Sequence, residues 1–228
     1  MNVTYTPQRR QAKDALFEGF ATIARALSSG RRVEIIEVLA QGERTVEHVA
    51  DAIGQSVANT SHHLRTLARA GLVTTRREGT HIHYRLASDQ VSEMWLALRD
   101  LAAEHLESMA DLTRAYLGDH GELESITAPE LRDRLAEDTV VLLDIRPEAE
   151  YEAGHLPGAV SLPPDRLDDL DAVLSGLPSD KGIVAYCRGP YCVYADDAIR
   201  ELARRGRPAL RLEEGLPEWR QSGGPIET

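Results

Sequence analysis

Along the first 120 residues the apolar positions recur at steps of three and four; beyond residue 125 they gather into short continuous runs. Segments 15–27 (ALFEGFATIARAL) and 32–40 (RVEIIEVLA) have helical spacing, with Gly30 and Gly42 as stops. Thr45 reads as the N-cap of a helix over 46–53 that Gly54 ends. Three residues later a second helix runs through 57–70 and closes at Gly71. Two short helices joined by a glycine turn form a helix-turn-helix pattern. Segments 72–76 and 81–86 then alternate about Glu78-Gly79, which predicts a β-hairpin. Residues 89–117 read as one long amphipathic helix, with Val91, Trp95, Leu98, Ala102, His105, Met109, Leu112 and Tyr116 stepping by three and four. At about 1.5 Å per residue it is about 40 Å long, more than a small domain buries alone, so a partner helix is expected.

The polar stretch 118–125 (GDHGELES) reads as a linker, and the periodicity changes class after it. Segment 128–136 is helical, whereas 139–145 (TVVLLDI) is the near-continuous run of a strand buried on both faces. A short helix at 148–152, a strand within 155–162 (HLPGAVSL), and strands at 183–186 and 209–212 follow, alternating with helices at 192–205 and 215–222. Such alternation predicts a parallel sheet covered on both sides. The expected organisation is a mainly helical α+β domain over 1–117, a linker, and an α/β domain with a parallel sheet over 126–228.

Composition agrees with two domains, since 228 residues is long for one. The net charge of −11 is unevenly spread: residues 1–120 hold 14 basic and 15 acidic side chains, residues 121–228 hold 12 and 22. Within 54–86, Arg65, Arg69, Arg76, Arg77 and Arg85 face only Glu78, a local basic surface that suits phosphates or is simply a solvated face. Two cysteines are too few for a secreted disulfide scaffold; the N-terminus lacks an apolar leader, and no apolar run reaches the roughly 18 residues of a membrane span. A soluble, cytoplasmic protein without a membrane partner is expected.

Both cysteines fall in Ile183–Val184–Ala185–Tyr186–Cys187–Arg188–Gly189–Pro190–Tyr191–Cys192. A short apolar run ends in Cys187, a turn with Gly and Pro follows, and a helix-like segment begins with Ala195-Asp196-Asp197-Ala198-Ile199. Open α/β sheets place reactive groups at such strand ends, and loop amides with a helix N-terminus favour thiolate over thiol. The alternative is a cysteine that serves as a small buried hydrophobe. A Cys187 oxidised to a sulfenate is open to attack by Cys192, giving a disulfide bridge, if the Cα atoms lie within about 7 Å; alternatively Cys192 packs inside the helix start.

Residues 14–117, with TSHHLRTLARAGLV followed by RREGTHIHYRL, resemble the ArsR-type winged-helix repressors. The resemblance implies that 56–70 is the recognition helix, with exposed Ser56, Asn59, Thr60, Ser61, His62, His63 and Arg65 toward the major groove of operator DNA, and with Arg76, Arg77 and His81 of the wing on the backbone or minor groove. It also implies a homodimer that pairs the first and last helices. Many family members sense metals through a Cys-x-Cys pair before the recognition helix or through Asp and His ligands on the last helix. Here the first place reads Val46-Glu47-His48-Val49-Ala50-Asp51 and the second offers Asp100 and a lone His105, so no metal site and no cofactor are expected.

Residues 125–225 resemble the rhodanese family through Leu143-Asp144-Ile145-Arg146-Pro147, Glu150-Tyr151 and Gly154-His155-Leu156-Pro157-Gly158-Ala159, through Tyr186-Cys187-Arg188-Gly189, and through Gly215-Leu216-Pro217-Glu218-Trp219. The implied chemistry is a Cys187 thiolate that accepts sulfane sulfur as a persulfide, cradled by the loop that includes Arg188. Asp144 and Arg146 either shape that pocket or hold the strand-end turn. Sulfurtransferases of the family often read Cys-Arg-x-Gly-x-Arg; here the glycine has moved forward, Pro190 stiffens the loop and Cys192 replaces the last arginine. The phosphatase relatives require an arginine where Val193 stands. The expectation is a repressor whose rhodanese-like domain senses reactive sulfur or another thiol-modifying species through Cys187 and Cys192. Two alternatives are an active sulfurtransferase that regulates its own operon and a metalloid-responsive repressor.

Overall fold

The structure, a computed structural model, describes residues 6–118 and 123–228 and divides into two compact units, Met1–Trp95 and Leu96–Thr228. The first unit opens with α1 (Pro7–Leu27), where Thr6 caps the helix and Pro7 occupies its first turn. Next come α2 (Gly30–Ala40), a two-residue strand β1 (Arg44–Thr45), α3 (Val46–Ala52) and α4 (Val57–Arg69). The hydroxyls of Thr45 and Ser56 accept from the backbone N–H of His48 and Asn59, which fixes where α3 and α4 begin. The hairpin β2 (Val73–Glu78) and β3 (His81–Leu86) pairs in register from Val73↔Leu86 to Glu78↔His81, and β1 adds to β3. Ile35, Ile36, Val49, Leu64, Leu67, Leu72, Val73 and Val91 form the core beneath this winged helix-turn-helix.

Three sequence expectations change here. Gly30, expected to stop a helix, is the first residue of α2, with Ser29 as its N-cap. The first helix starts at Pro7 instead of residue 15. The single helix expected over 89–117 is two, α5 (Asp89–His105) and α6 (Ser108–Leu117). Glu107 keeps right-handed helical angles (φ −51°, ψ −32°), and the Met109 N–H bonds back only three residues, to the Leu106 carbonyl. The ladder is therefore interrupted without a glycine or proline to announce it.

In the second unit, five parallel strands lie in the order β4-β8-β7-β5-β6: β4 (Ser125–Ile126), β5 (Val140–Asp144), β6 (Val160–Ser161), β7 (Gly182–Tyr186) and β8 (Ala209–Leu212). The linker expected at 118–125 lies partly outside the described residues, and its last residue, Ser125, pairs with Arg211 in the sheet. The helices are α7 (Ala128–Ala136), α8 (Glu148–Ala153), α9 (Leu170–Gly176), α10 (Val193–Arg204) and α11 (Leu216–Gln221), and α9 follows a 3-10 turn at Pro164–Asp169. Alternate residues of the central strands serve opposite faces. Leu142, Val184 and Tyr186 pack with Leu131, Leu216 and Trp219, while Leu143, Ile183 and Ala185 pack with Ala198, Ile199 and Leu202. Two-sided burial explains the unbroken apolar runs. Among the described residues no helix is long and apolar enough to cross a membrane.

Candidate recognition helix and cysteine loop

Helix α4 has two faces. Thr60, Leu64 and Leu67, at i, i+4 and i+7, turn into the core and are fully buried. Thr60, expected to be exposed, therefore faces away from solvent. His63 borders the same face, half-buried with its Nδ1 enclosed. Ser56, Asn59, His62 and Arg65 are exposed and Ser61 is half-buried. The Ser56 hydroxyl is the N-cap acceptor, and the Asn59 amide donates to the Gln55 side chain at 2.8 Å. Arg69, one helical turn beyond Arg65, is also exposed on this helix.

On the wing, Arg77 and His81 are exposed, and the Arg77 Nε donates to the Gly79 carbonyl at 3.1 Å. Arg76 ion-pairs with Glu43, next to β1, and with Glu78 at 2.9 Å. The guanidinium holds the Glu43 carboxyl below the usual carboxylate range. Both partners are partly solvated, so solvent screens the pair and it adds little to stability.

The cysteine loop leaves the carboxyl end of β7, beside the end of β5, where the strand order reverses and α/β sheets place their sites. Cys187 and Cys192 are joined by a disulfide, with their Cα atoms 6.2 Å apart, and are 2% and 7% exposed. Cys192 is the N-cap residue of α10, and its N–H donates to the Gly189 carbonyl at 3.2 Å. Gly189 has φ +137°, a conformation closed to most side chains. Gly215, ahead of α11, lies against the Arg188–Gly189 peptide so closely that a Cβ there would sit 2.3 Å from the Arg188 carbonyl oxygen.

Charged side chains frame the loop in pairs. Arg188 forks onto the Glu150 carboxylate of α8, with Nε–Oε2 3.0 Å and Nη2–Oε1 2.5 Å, and Glu150 is 2% exposed. Arg211 of β8 donates from Nε to Asp196 of α10 at 2.9 Å and from Nη2 to the carbonyls of Gly189 and Pro190, both at 3.1 Å. Burial lowers the Arg211 pKa, against the pull of Asp196. Glu218 accepts from the Gly215 N–H and, within the second unit, pairs with Arg99.

Asp144 and Arg146 are both fully buried. Asp144 accepts from the Arg146 Nε and Nη2 and from the Tyr186 hydroxyl at 2.6 Å; Arg146 also donates to the Gly154 carbonyl, and the Tyr186 oxygen accepts from the Leu156 N–H. Burial and the Asp144 charge push the Tyr186 hydroxyl pKa upward. These bonds tie the ends of β5 and β7 to the 154–156 turn, which is a brace and not an exposed reactive surface. Glu150, Asp196, Arg211 and Gly215 were absent from the expected site. Arg211 carried a signal, since a charged residue inside a buried strand demands a partner. Among the described residues no group of three or more His, Cys, Asp or Glu side chains is placed to hold a metal ion.

A winged helix-turn-helix with an α/β cysteine-loop domain defines a DNA-binding regulator of composite architecture. Residues 29–75 match the family model for bacterial regulatory proteins of the arsR family, and residues 127–222 match that for the rhodanese-like domain. Over 215 residues the chain is 43% identical to the HTH-type transcriptional regulator Rv0324 of Mycobacterium tuberculosis, covering 94% of this chain and 93% of the relative. It is 34% identical over 102 residues to a sulfurtransferase of Allochromatium vinosum, covering 44% of this chain and 92% of that one. Among solved structures it is similar to the homodimeric winged helix-turn-helix domain of Mb0332 from Mycobacterium bovis, at 39% identity and TM-score 0.41, covering 47% of this chain and 94% of that one. The chain belongs to the ArsR-type winged-helix transcriptional regulators that carry a C-terminal rhodanese-like domain.

Two outcomes follow from the geometry. Asp144→Ala leaves Arg146 buried without its carboxylate and should destabilise the second unit by about 3–5 kcal/mol in urea denaturation; an unchanged midpoint would refute the brace. Burial, then the nearby Arg32, His62 and Arg31, hold the His63 pKa below its ordinary value. The unfolded chain therefore takes up this proton first, near pH 6.5, and the stability of the first unit should fall as pH drops through 6.5 toward the folded pKa. Thermal melts of the full chain between neutral and mildly acidic pH should show that slope, and His63→Gln should flatten it.

Proposed function

We propose that this regulator is a homodimeric repressor whose operator affinity is set by the chemical state of Cys187 and Cys192. The carrying observation is the pair itself: two cysteines at the end of the central strand, with Cα atoms close enough to bridge. Reduced, Cys187 attacks the outer sulfur of a hydropersulfide R–S–SH, forming Cys187–S–SH and releasing R–S⁻. The Cys192 thiolate then attacks the inner sulfur on Cys187, forming the disulfide and expelling HS⁻. Two thiols are oxidised, and the persulfide is reduced to a thiol and sulfide. Residues 126–228 are the sensing part and residues 1–117 the DNA-binding and dimerising part.

Exposed Ser56, Asn59, His62 and Arg65, with Ser61, Arg77 and His81, offer the groove and phosphate contacts; Arg76 joins them on leaving Glu43. Thr60 supports the helix from within. Two apolar sets support a dimer: Leu16, Phe17 and Phe20 on α1, each more than half exposed, and Leu98, Leu101, Leu112 and Tyr116 on α5 and α6.

A second reading, a working sulfurtransferase, is favoured by the likeness to the Allochromatium vinosum protein. Turnover of thiosulfate with cyanide, fast and without effect on operator affinity, identifies that case. The decisive experiment follows operator binding by fluorescence anisotropy before and after treatment with polysulfide. Wild type should change affinity, Cys187→Ser should not respond, and Cys192→Ser should carry a persulfide one sulfur heavier by mass spectrometry. A Cys187→Ser protein that responds like wild type ends the sensor reading. In the same assay Arg65→Ala should weaken binding and shallow its salt dependence by about one phosphate contact. Leu112→Glu should shift sedimentation from dimer to monomer.

A further inference from the structure

We infer that Arg211 is the positioning residue of the cysteine pair, holding the loop so that Cys192 reaches sulfur carried on Cys187 and the outcome is a bridge instead of a lasting persulfide. The inference rests on the sulfur-sensing reading for its donor, though not for its geometry.

Arg211 lies on β8 beside β7, in register with Ala185 two residues before Cys187. Its fork grips the chain on both sides of Cys192. Before it, Nη2 reaches the carbonyls of Gly189 and Pro190; after it, Nε reaches Asp196 in the first turn of α10. The Gly189 carbonyl also receives the Cys192 N–H, so the same oxygen is bound by Arg211 and by the residue being positioned. Arg211 is 4% exposed and Asp196 1%. Burying that charge pair carries a desolvation penalty that apolar side chains of similar volume avoid. What they cannot supply is a planar set of donors able to bind two carbonyls and a carboxylate together.

Without this grip the stretch from Gly189 to Cys192 loses two anchors beyond the peptide held at Gly215, and Gly189, having no Cβ, offers little resistance to its shifting. Attack by Cys192 is intramolecular, and its rate depends on how firmly the reacting atoms are held in position. Attack by Cys187 on the donor does not require Cys192 to be in place. Arg211 therefore acts on the second step alone: the S–S bond formed between Cys192 and Cys187, with HS⁻ leaving. Its hydrogen bonds in this role go to the Gly189 and Pro190 carbonyls and to Asp196.

The test uses the reduced full-length protein and two variants. Arg211→Lys keeps the charge opposite Asp196 without the fork; the double variant Arg211→Met with Asp196→Leu removes the pair as a unit and guards against a buried lone charge unfolding the domain. Circular dichroism establishes that each is folded. One arm adds a low-molecular-weight hydropersulfide, the other the thiol oxidant diamide, and rapid acid quench with mass spectrometry resolves dithiol, persulfide and disulfide. Cys192→Ser marks the persulfide. Wild type should pass to disulfide with little persulfide. The variants should consume donor at the wild-type rate, accumulate Cys187 persulfide, and close the bridge slower by on the order of tenfold or more in both arms. Arg211→Lys should fall between wild type and the double variant. Bridge closure at the wild-type rate in both folded variants overturns the inference. If wild type closes with diamide but takes no sulfur from the hydropersulfide, the sulfur-sensing reading fails, and the diamide rates alone still decide the role of Arg211.

Discussion

A sheet buried on both faces leaves polar chemistry to the ends of its strands or to buried charges that bring their own partners, and the second unit is organised by that constraint. The interiors of β5 and β7 are apolar on both sides, so charged groups gather near the carboxyl edge. There each buried charge faces a counter-charge: Asp144 with Arg146, Glu150 with Arg188, and Asp196 with Arg211. Breaking such a pair leaves an uncompensated charge in a poorly solvated place, so the pairs specify geometry more than they add net stability. The loop between the two cysteines is suspended within this frame.

That frame changes what the loop offers. A loop that cradles an anion presents free backbone amides and unneutralised cations. Here Pro190 has no N–H, the Cys192 N–H is engaged by the Gly189 carbonyl, and the arginines at 188 and 211 already bind carboxylates. Cys192 stands where many sulfurtransferases of the family place an arginine, so a second sulfur replaces a positive charge. Gly215 adds a steric limit: its missing Cβ is the space the Arg188–Gly189 peptide occupies.

In the first unit the governing fact is the two-faced character of α4. The row Thr60, Leu64 and Leu67 anchors the helix in the core, and that anchoring leaves Ser56, Asn59, His62 and Arg65 on the open side. The arginines are not equivalent. Among the described residues the Arg65 side chain bonds locally, to the Ser61 carbonyl, whereas Arg76 is drawn to Glu43, 33 residues away, by a solvent-screened surface ion pair.

Periodicity and short motifs determined much of this by themselves. The helix at 128–136 and the strand at 209–212 appear with the expected ends. The runs at 140–143 and 183–186 are apolar because both faces are covered, which composition alone can express. The burial of Thr60 was also legible, four and seven residues before two leucines, although the resemblance drew it to the DNA side. Tertiary structure decided the partners of charged side chains. Asp144 meets Tyr186 across 42 residues, Arg188 meets Glu150 across 38, and Arg211 meets the loop carbonyls across 21 and 22. A local pattern records how often a face recurs. Which distant donor arrives at a given carbonyl depends on how strands are ordered in the sheet, and neighbouring residues carry no trace of that order.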